Sequence, residues 1–219
     1  MLALWLPMIS GCAQYMSEPR EVSRMVIEES IITLRTFRSI PELAIIDQYI
    51  PDAAGIIIFP RMIKGGLIAG VESGTGVLMS RTSQGWSYPG FYLLSAASIG
   101  FQVGLQESSA IMIIRNTDAL NAVIEQQGKF GAEMGLMLGW NGVGYGGSTT
   151  TSLGADIVAF TGPGFGIFGG VAMEGAALVR RTDLNEYYYG VGATPRAIVL
   201  NGQHSNGNAD ALRAAIDPR

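Results

Sequence analysis

The residues best placed to do chemistry come in three groups, and none of them builds a catalytic centre. Gly164-Phe165-Gly166-Ile167-Phe168-Gly169 fits G-x-G-x-x-G, and Glu186 follows at the distance a dinucleotide site would want. Such a site needs a helix that starts inside the glycines and meets the pyrophosphate with its N-terminus. Here Gly175 interrupts Val171-Ala172-Met173-Glu174, and among 30 glycines the match is cheap. The one histidine, His204, lies between Gln203 and Ser205 in a polar stretch, read as a solvated tail where nothing would orient it as a base. A histidine-based zinc site fails for want of ligands. Asp156, Glu174 and Asp183 are the carboxylates a hydrolase would use, and they read as turn and edge residues. No enzyme, cofactor or metal is expected.

Cys12, the single cysteine, carries a different chemistry. It follows Ile9-Ser10-Gly11 and the apolar run 2–9, an order that resembles the lipobox of a bacterial lipoprotein. A small-residue cleavage site behind an apolar core marks a removed signal segment, and a cysteine at the new N-terminus accepts acyl chains such as palmitate. The first basic residue is Arg20, so the usual positive start is missing. The apolar run is too short to span a bilayer, which takes about 20 residues. The expectation is a signal segment over 1–11 and lipid attachment at Cys12; the alternative is an ordinary buried thiol, since free cysteine packs well as a small hydrophobe. Ala13 after the cysteine points to the outer membrane of a bacterial cell envelope, facing the periplasm.

The net charge of −4 leaves no basic footprint for nucleic acid. With one cysteine there is no intrachain disulfide, so stability rests on packing. An apolar share of 48% against 15% charged residues implies a packed core. The glycines sit inside apolar stretches such as Gly65-Gly66-Leu67-Ile68-Ala69-Gly70-Val71, where they mark bulges, bends or close backbone approach.

The elements that would position any site follow from periodicity. Val22, Met25, Val26, Ile32 and Leu34 recur at helical spacing over 18–48, and Pro41 can open a second helix. After Pro51 short apolar runs predict strands at 55–59, 66–72, 76–81, 91–97, 99–107 and 109–114. A helix follows over 117–127 with Thr117 as its cap, then strands near 135–138, 155–161, 166–173 and 176–181. The order predicts an α+β fold: a mainly antiparallel, glycine-rich, curved sheet or barrel-like β core with N-terminal helices and one central helix. One domain over 12–200 is expected, followed by a flexible C-terminal tail over 201–219 in which 210–216 forms a short helix.

Between the first two strands, Phe59-Pro60-Arg61-Met62-Ile63-Lys64-Gly65-Gly66 reads as an exposed connection. Its cations, Arg61 and Lys64, flank Met62 and Ile63. That pattern suits equally an anionic bilayer, where apolar residues insert and each cation contributes about 1 kcal/mol, and a solvated turn with Met62 and Ile63 facing the core.

The same segment opens a family resemblance. Ala54-Gly55-Ile56-Ile57-Ile58-Phe59-Pro60, Ile63-Lys64-Gly65-Gly66, Gly74-Thr75-Gly76-Val77-Leu78 and Gly85-Trp86-Ser87-Tyr88-Pro89 resemble, in order and spacing, the core of the SYLF domain. The likeness continues through Ile99-Gly100-Phe101-Gln102-Val103-Gly104, 169–175 and Asn185-Glu186-Tyr187-Tyr188-Tyr189-Gly190, and covers residues 28–200. The resemblance implies a non-catalytic lipid-binding module, phosphoinositide-directed and actin-associated in eukaryotic relatives. Carried onto this chain, it implies lipid contact by Arg61, Met62, Ile63 and Lys64, with Trp86 as an interfacial or packing aromatic. The partners implied are membrane lipids or an envelope protein; an actin partner does not suit a bacterial envelope. The chain departs from the family at Thr161-Gly162-Pro163-Gly164-Phe165, which lacks the usual cations, and at Gly139-Trp140-Asn141-Gly142-Val143-Gly144.

Overall fold

Proline fixes both the start and the end of the first helix. In the computed structural model, which describes residues 18–66, 69–99, 106–125, 129–130, 136–138, 156–162 and 176–217, α1 spans Pro19–Ser39 with Pro19 in its first turn. Proline is tolerated there because its missing N–H would have no intrahelical partner. Ile40 is extended, as a residue before proline must be, and the helix stops at Pro41. The expected second helix begins later and is only one turn long, α2 at Ile46–Tyr49. On α1 the buried positions are Ser23, Val26, Ile27, Ser30, Thr33, Leu34 and Phe37, one helical stripe. Its small hydroxyl residues bring the helix close to what it covers, and the Ser30 hydroxyl donates to Val26 O at 2.6 Å.

Among the described residues, what α1 covers is a nine-stranded sheet. The strands are β1 (Gly55–Gly66), β2 (Ala69–Thr82), β3 (Gly85–Trp86), β4 (Gly90–Ile99) and β5 (Gln106–Ile114), then β6 (Lys129–Phe130), β7 (Leu136–Leu138), β8 (Ile157–Thr161) and β9 (Ala176–Arg180). Among the described residues the spatial order β6-β9-β4-β2-β1-β5-β8-β7 is open, with β3 paired to β2. Every pairing is antiparallel except that of β7 with β8. The expected α+β class and antiparallel pairing hold. The strand at 166–173 and the G-x-G-x-x-G run lie outside the described residues.

Strand alternation divides the core in two. Ile56, Ile58, Val77, Met79, Phe91, Ile111 and Ile113 pack with α1. Ile57, Phe59, Leu78, Tyr92, Leu94, Met112 and Ile114 pack on the other side. That second side is covered by α3 (Thr117–Glu125), through Leu120, Val123 and Ile124. A sheet covered on both faces explains why its central strands read as continuous apolar runs rather than as alternation. Each fully buried Ile, Leu or Phe contributes about 1.5–3 kcal/mol. The cap of α3 is Asn116, one residue earlier than expected: its Oδ1 accepts from Ala119 N at 2.8 Å.

The C-terminal stretch is not a flexible tail. After α4 (Thr182–Tyr189), a π-helical turn (Arg196–Leu200) and a 3-10 turn (Gly207–Ala209), α5 (Asp210–Ile216) lies against the α1 side of the core. Ala209, Leu212 and Ile216 are fully buried there. Arg38, in the last turn of α1, donates to the carbonyls of Ala215 and Ile216 at 2.5 and 2.6 Å and to Asp47 Oδ1 at 2.8 Å. One guanidinium thus satisfies the end of α5 and links it to α1 and α2. Residues 201–217 belong to the domain. Even His204, expected in solvent, lies 5.7 Å from the Tyr189 ring, centroid to centroid.

Candidate functional site

Pro60 has no N–H to give to a ladder, and β1 is a central strand with ladders on both sides. The structure resolves this conflict with a bulge. Between Ile58 and Ile63 the register with β2 slips by one residue, and between Phe59 and Met62 the register with β5 slips in the same way. The extra residue bends the strand and is absorbed by glycines on β2. A Cβ on Gly74 would stand 2.4 Å from Arg61 O, and one on Gly76 would stand 2.3 Å from Ile58 O. Both contacts are with backbone, so neither position has room for a side chain.

The expected exposed connection over 59–66 is therefore the second half of one long strand, and its residues do not share a face. Met62 is fully buried among Phe59, Leu94 and Met112. Arg61 and Ile63 lie on the opposite side, where the Arg61 guanidinium meets Glu29 Oε1 of α1 at 3.3 Å and Glu107 Oε1 of β5 at 3.1 Å. Ile63 is 47% exposed, whereas Ile56, Ile57, Ile58 and Phe59 of the same strand are wholly covered. Lys64 is in register with Glu72 and Gln106. Glu72 is buried and accepts from Ser108 Oγ at 3.3 Å.

Trp86 is 2% exposed and belongs to the core. Its Nε1 donates to Asp217 Oδ1 at 2.9 Å, and the Arg81 guanidinium lies 4.4 Å from the ring centroid. It holds the end of the C-terminal segment rather than facing outward. Cys12 lies outside the described residues, as does Glu174.

The remaining carboxylates of the sequence reading are occupied structurally. Asp156 accepts from Asn116 Nδ2 at 2.6 Å. Asp183 takes two hydrogen bonds from Arg181, at 2.9 and 2.7 Å, and that pairing holds its carboxyl below the usual range. Glu186 accepts from Gly192 N at 3.0 Å. No group of three or more metal-ligating side chains occurs among the described residues. No helix among them is long and apolar enough to cross a membrane.

A second feature was not visible in the sequence. A cleft of about 460 Å³ opens between the first half of α1, the end of α4 and residues 206–208, lined among others by Arg20, Arg24, Ile27, Tyr187, Asn206 and Asn208. The i, i+4 spacing of Arg20 and Arg24 could be read as one helix face. Nothing local, however, brings 187–188 and 206–208 to that face. Tyr188, also in the wall, has its hydroxyl buried without a hydrogen-bond partner among the described residues. Burial, with Asp210 nearby, pushes that phenol up to about 12.

Comparison with known proteins fits this architecture. A family model described as "Ysc84: Las17-binding protein actin regulator" matches residues 95–218, more than half of the chain. The chain belongs to the Ysc84 family. This is the SYLF domain family that the motifs resembled. Protein YSC84 of Saccharomyces cerevisiae is 27% identical over 201 residues, covering 85% of this chain and 41% of its own length. LAS seventeen-binding protein 3 of the same yeast is 27% identical over 165 residues, 72% of this chain and 36% of its own. The human SH3 domain-containing YSC84-like protein 1 is 25% identical over 175 residues, 79% of this chain and 50% of its own. The chain thus spans half or less of these Ysc84-family relatives. The family match runs through 201–217, in keeping with a C-terminal segment that is part of the fold.

Proposed function

We propose that this chain is a non-catalytic module that binds the surface of an anionic bilayer through the β1 bulge, and that it is held at a bacterial envelope membrane by acylation of Cys12. The observation that carries the reading is Ile63, half exposed beside Arg61 on a strand whose residues 55–59 and Met62 are buried in the core. The bulge gives this pair a fixed outward presentation that a mobile loop would lack. Ile32, the other well-exposed isoleucine among the described residues, stands one helical turn from the Glu29 that Arg61 contacts.

The energies make this a weak contact by itself. Burying the exposed half of Ile63 contributes on the order of 1 kcal/mol, and a cation near an anionic surface contributes about as much. Against that, Glu29 and Glu107 already engage Arg61 through exposed pairs, each worth about 0–1 kcal/mol. Headgroup phosphates can exchange with them at little cost. An acyl anchor, at about 0.8 kcal/mol per buried methylene, would hold the chain on the membrane while the domain selects lipid. Intact-mass measurement of the protein isolated from membranes tests the anchor: acyl mass on Cys12 supports it and an unmodified thiol refutes it.

The site is tested with Ile63→Asp, Arg61→Glu and Lys64→Glu in a chain beginning at Ala13, with vesicle association as the readout. Ile63→Asp and Arg61→Glu are each expected to weaken association several-fold. Binding equal to the parent's by both would contradict the placement at the bulge. A second reading, a tethered scaffold for a protein partner, is favoured by the cleft on the α1 and α4 side.

A further inference from the structure

We propose that the cleft between α1, α4 and residues 206–208 is a docking site for an extended, acidic segment of a protein partner. The inference concerns a different surface from the bilayer reading and stands or falls without it.

The walls supply three kinds of recognition. Arg20 and Arg24 are one turn apart on α1, and both line the cleft. Arg20 is exposed and has no ion pair among the described residues, while Arg24 reaches only Glu28, at 3.2 Å, in an exposed pair on the same helix. Such a pair is readily exchanged for an incoming carboxylate. A guanidinium donates two parallel hydrogen bonds to a carboxylate, so Arg20 is a donor site for an Asp or Glu side chain.

The facing wall is rigid and polar. Asn206 donates from Nδ2 to Tyr188 O at 3.0 Å and accepts from Asn208 N at 3.1 Å. These bonds fix the turn that carries Asn208, whose side-chain amide has no partner among the described residues and can pair with a peptide's backbone. Tyr187 is 50% exposed, and its ring supplies apolar surface for an alternate side chain. Carboxylate, backbone amide and apolar side chain are together what an extended acidic peptide presents.

Shape and charge set this occupant apart from others. A bilayer surface is flat and cannot reach the floor of a concave cleft. A free phosphate would fill a small part of 460 Å³ and would leave Tyr187 and Asn208 unused. The charged lining is two arginines against Glu28, a net positive cleft in a chain of net charge −4. A basic peptide would meet repulsion there.

The test is panning of a random short-peptide library against the chain from Ala13, followed by fluorescence anisotropy with the enriched peptides. The expected result is enrichment of Asp and Glu alternating with apolar residues. Arg20→Glu should then weaken binding about tenfold or more, Asn208→Ala should weaken it less, and Arg61→Glu should leave it unchanged. Arg20 is exposed and Asn208 sits in a surface turn, so both variants are expected to fold, which circular dichroism checks. No enrichment, enrichment of neutral or basic peptides, or binding indifferent to Arg20→Glu would overturn the proposal. Displacement of the peptide by inorganic phosphate or by phosphatidylglycerol vesicles would also overturn it, and would assign the cleft to a phosphate-bearing headgroup.

Discussion

Gly74 and Gly76 are where the sheet has no slack. Each faces a backbone carbonyl of the β1 bulge at a distance no Cβ tolerates, and a carbonyl in a central strand cannot step aside as a flexible side chain could. Gly74→Ala or Gly76→Ala should therefore destabilise the domain by at least about 1–3 kcal/mol. Denaturant unfolding measures this as a lower midpoint. Gly85 is the contrasting case: it has a φ of +99° with open space around it, so there the cost of alanine is conformational rather than steric.

The tyrosines respond to alkali for a reason equally local. Burial raises Tyr92, Tyr188 and Tyr189 above their ordinary value, Tyr188 to about 12. A phenol that keeps its proton longer folded than unfolded contributes stability below the unfolded value near 10, and that contribution is lost as pH rises through the folded value. Stability should thus fall from about pH 10 towards pH 12. Tyr188→Phe should flatten that fall. Because its hydroxyl has no partner among the described residues, the same change should leave stability at neutral pH unchanged or raise it by up to about 1 kcal/mol. Thermal melts across pH compare the two proteins directly.

At the scale of elements, the C-terminal segment is held by cations placed far earlier in the chain. Arg38 binds the last carbonyls of α5. Arg81 bonds Ile50 O at 2.7 Å and stacks on Trp86. Arg213 returns a bond to Trp86 O at 2.8 Å and lies over the Tyr88 ring. Arg38→Ala would remove three charge-assisted bonds, two to α5 carbonyls and one to Asp47, at a mostly covered site and should cost about 2 kcal/mol or more. A chain ending at Leu200 would expose the surface that Leu212 and Ile216 cover, and its unfolding midpoint should drop further still.

These elements also show what can be read from sequence and what cannot. The stripe of α1, the runs of β1, β4, β5 and β8, and α3 were legible because each announces its own period or its own cap. The stretch 59–66 was misread because Pro60 and the glycines normally punctuate. Only the paired neighbours, β2 and β5, reveal that a bulge keeps the strand going. The segment after Asn201 was misread because its polar residues dominate locally, while the few apolar ones, Ala209, Leu212 and Ile216, find their partners on α1 and the sheet. The cleft was invisible for the same reason. Its residues come from three separate stretches, and only Arg20 and Arg24 carry a spacing that could be noticed.

For the whole molecule, two surfaces of use meet on α1. Its middle contacts the bulge through Glu29, and its first turns wall the cleft through Arg20 and Arg24. The Ysc84 family's description names Las17 binding and actin regulation, and one relative is named for LAS seventeen binding; the binding role proposed for this chain draws on both. The most direct measurement is flotation of the chain beginning at Ala13 with vesicles of neutral or anionic lipid over a range of salt. The account predicts flotation with anionic vesicles that fades as salt rises and weakens with Ile63→Asp. Absence from the vesicle fraction with every lipid would contradict it.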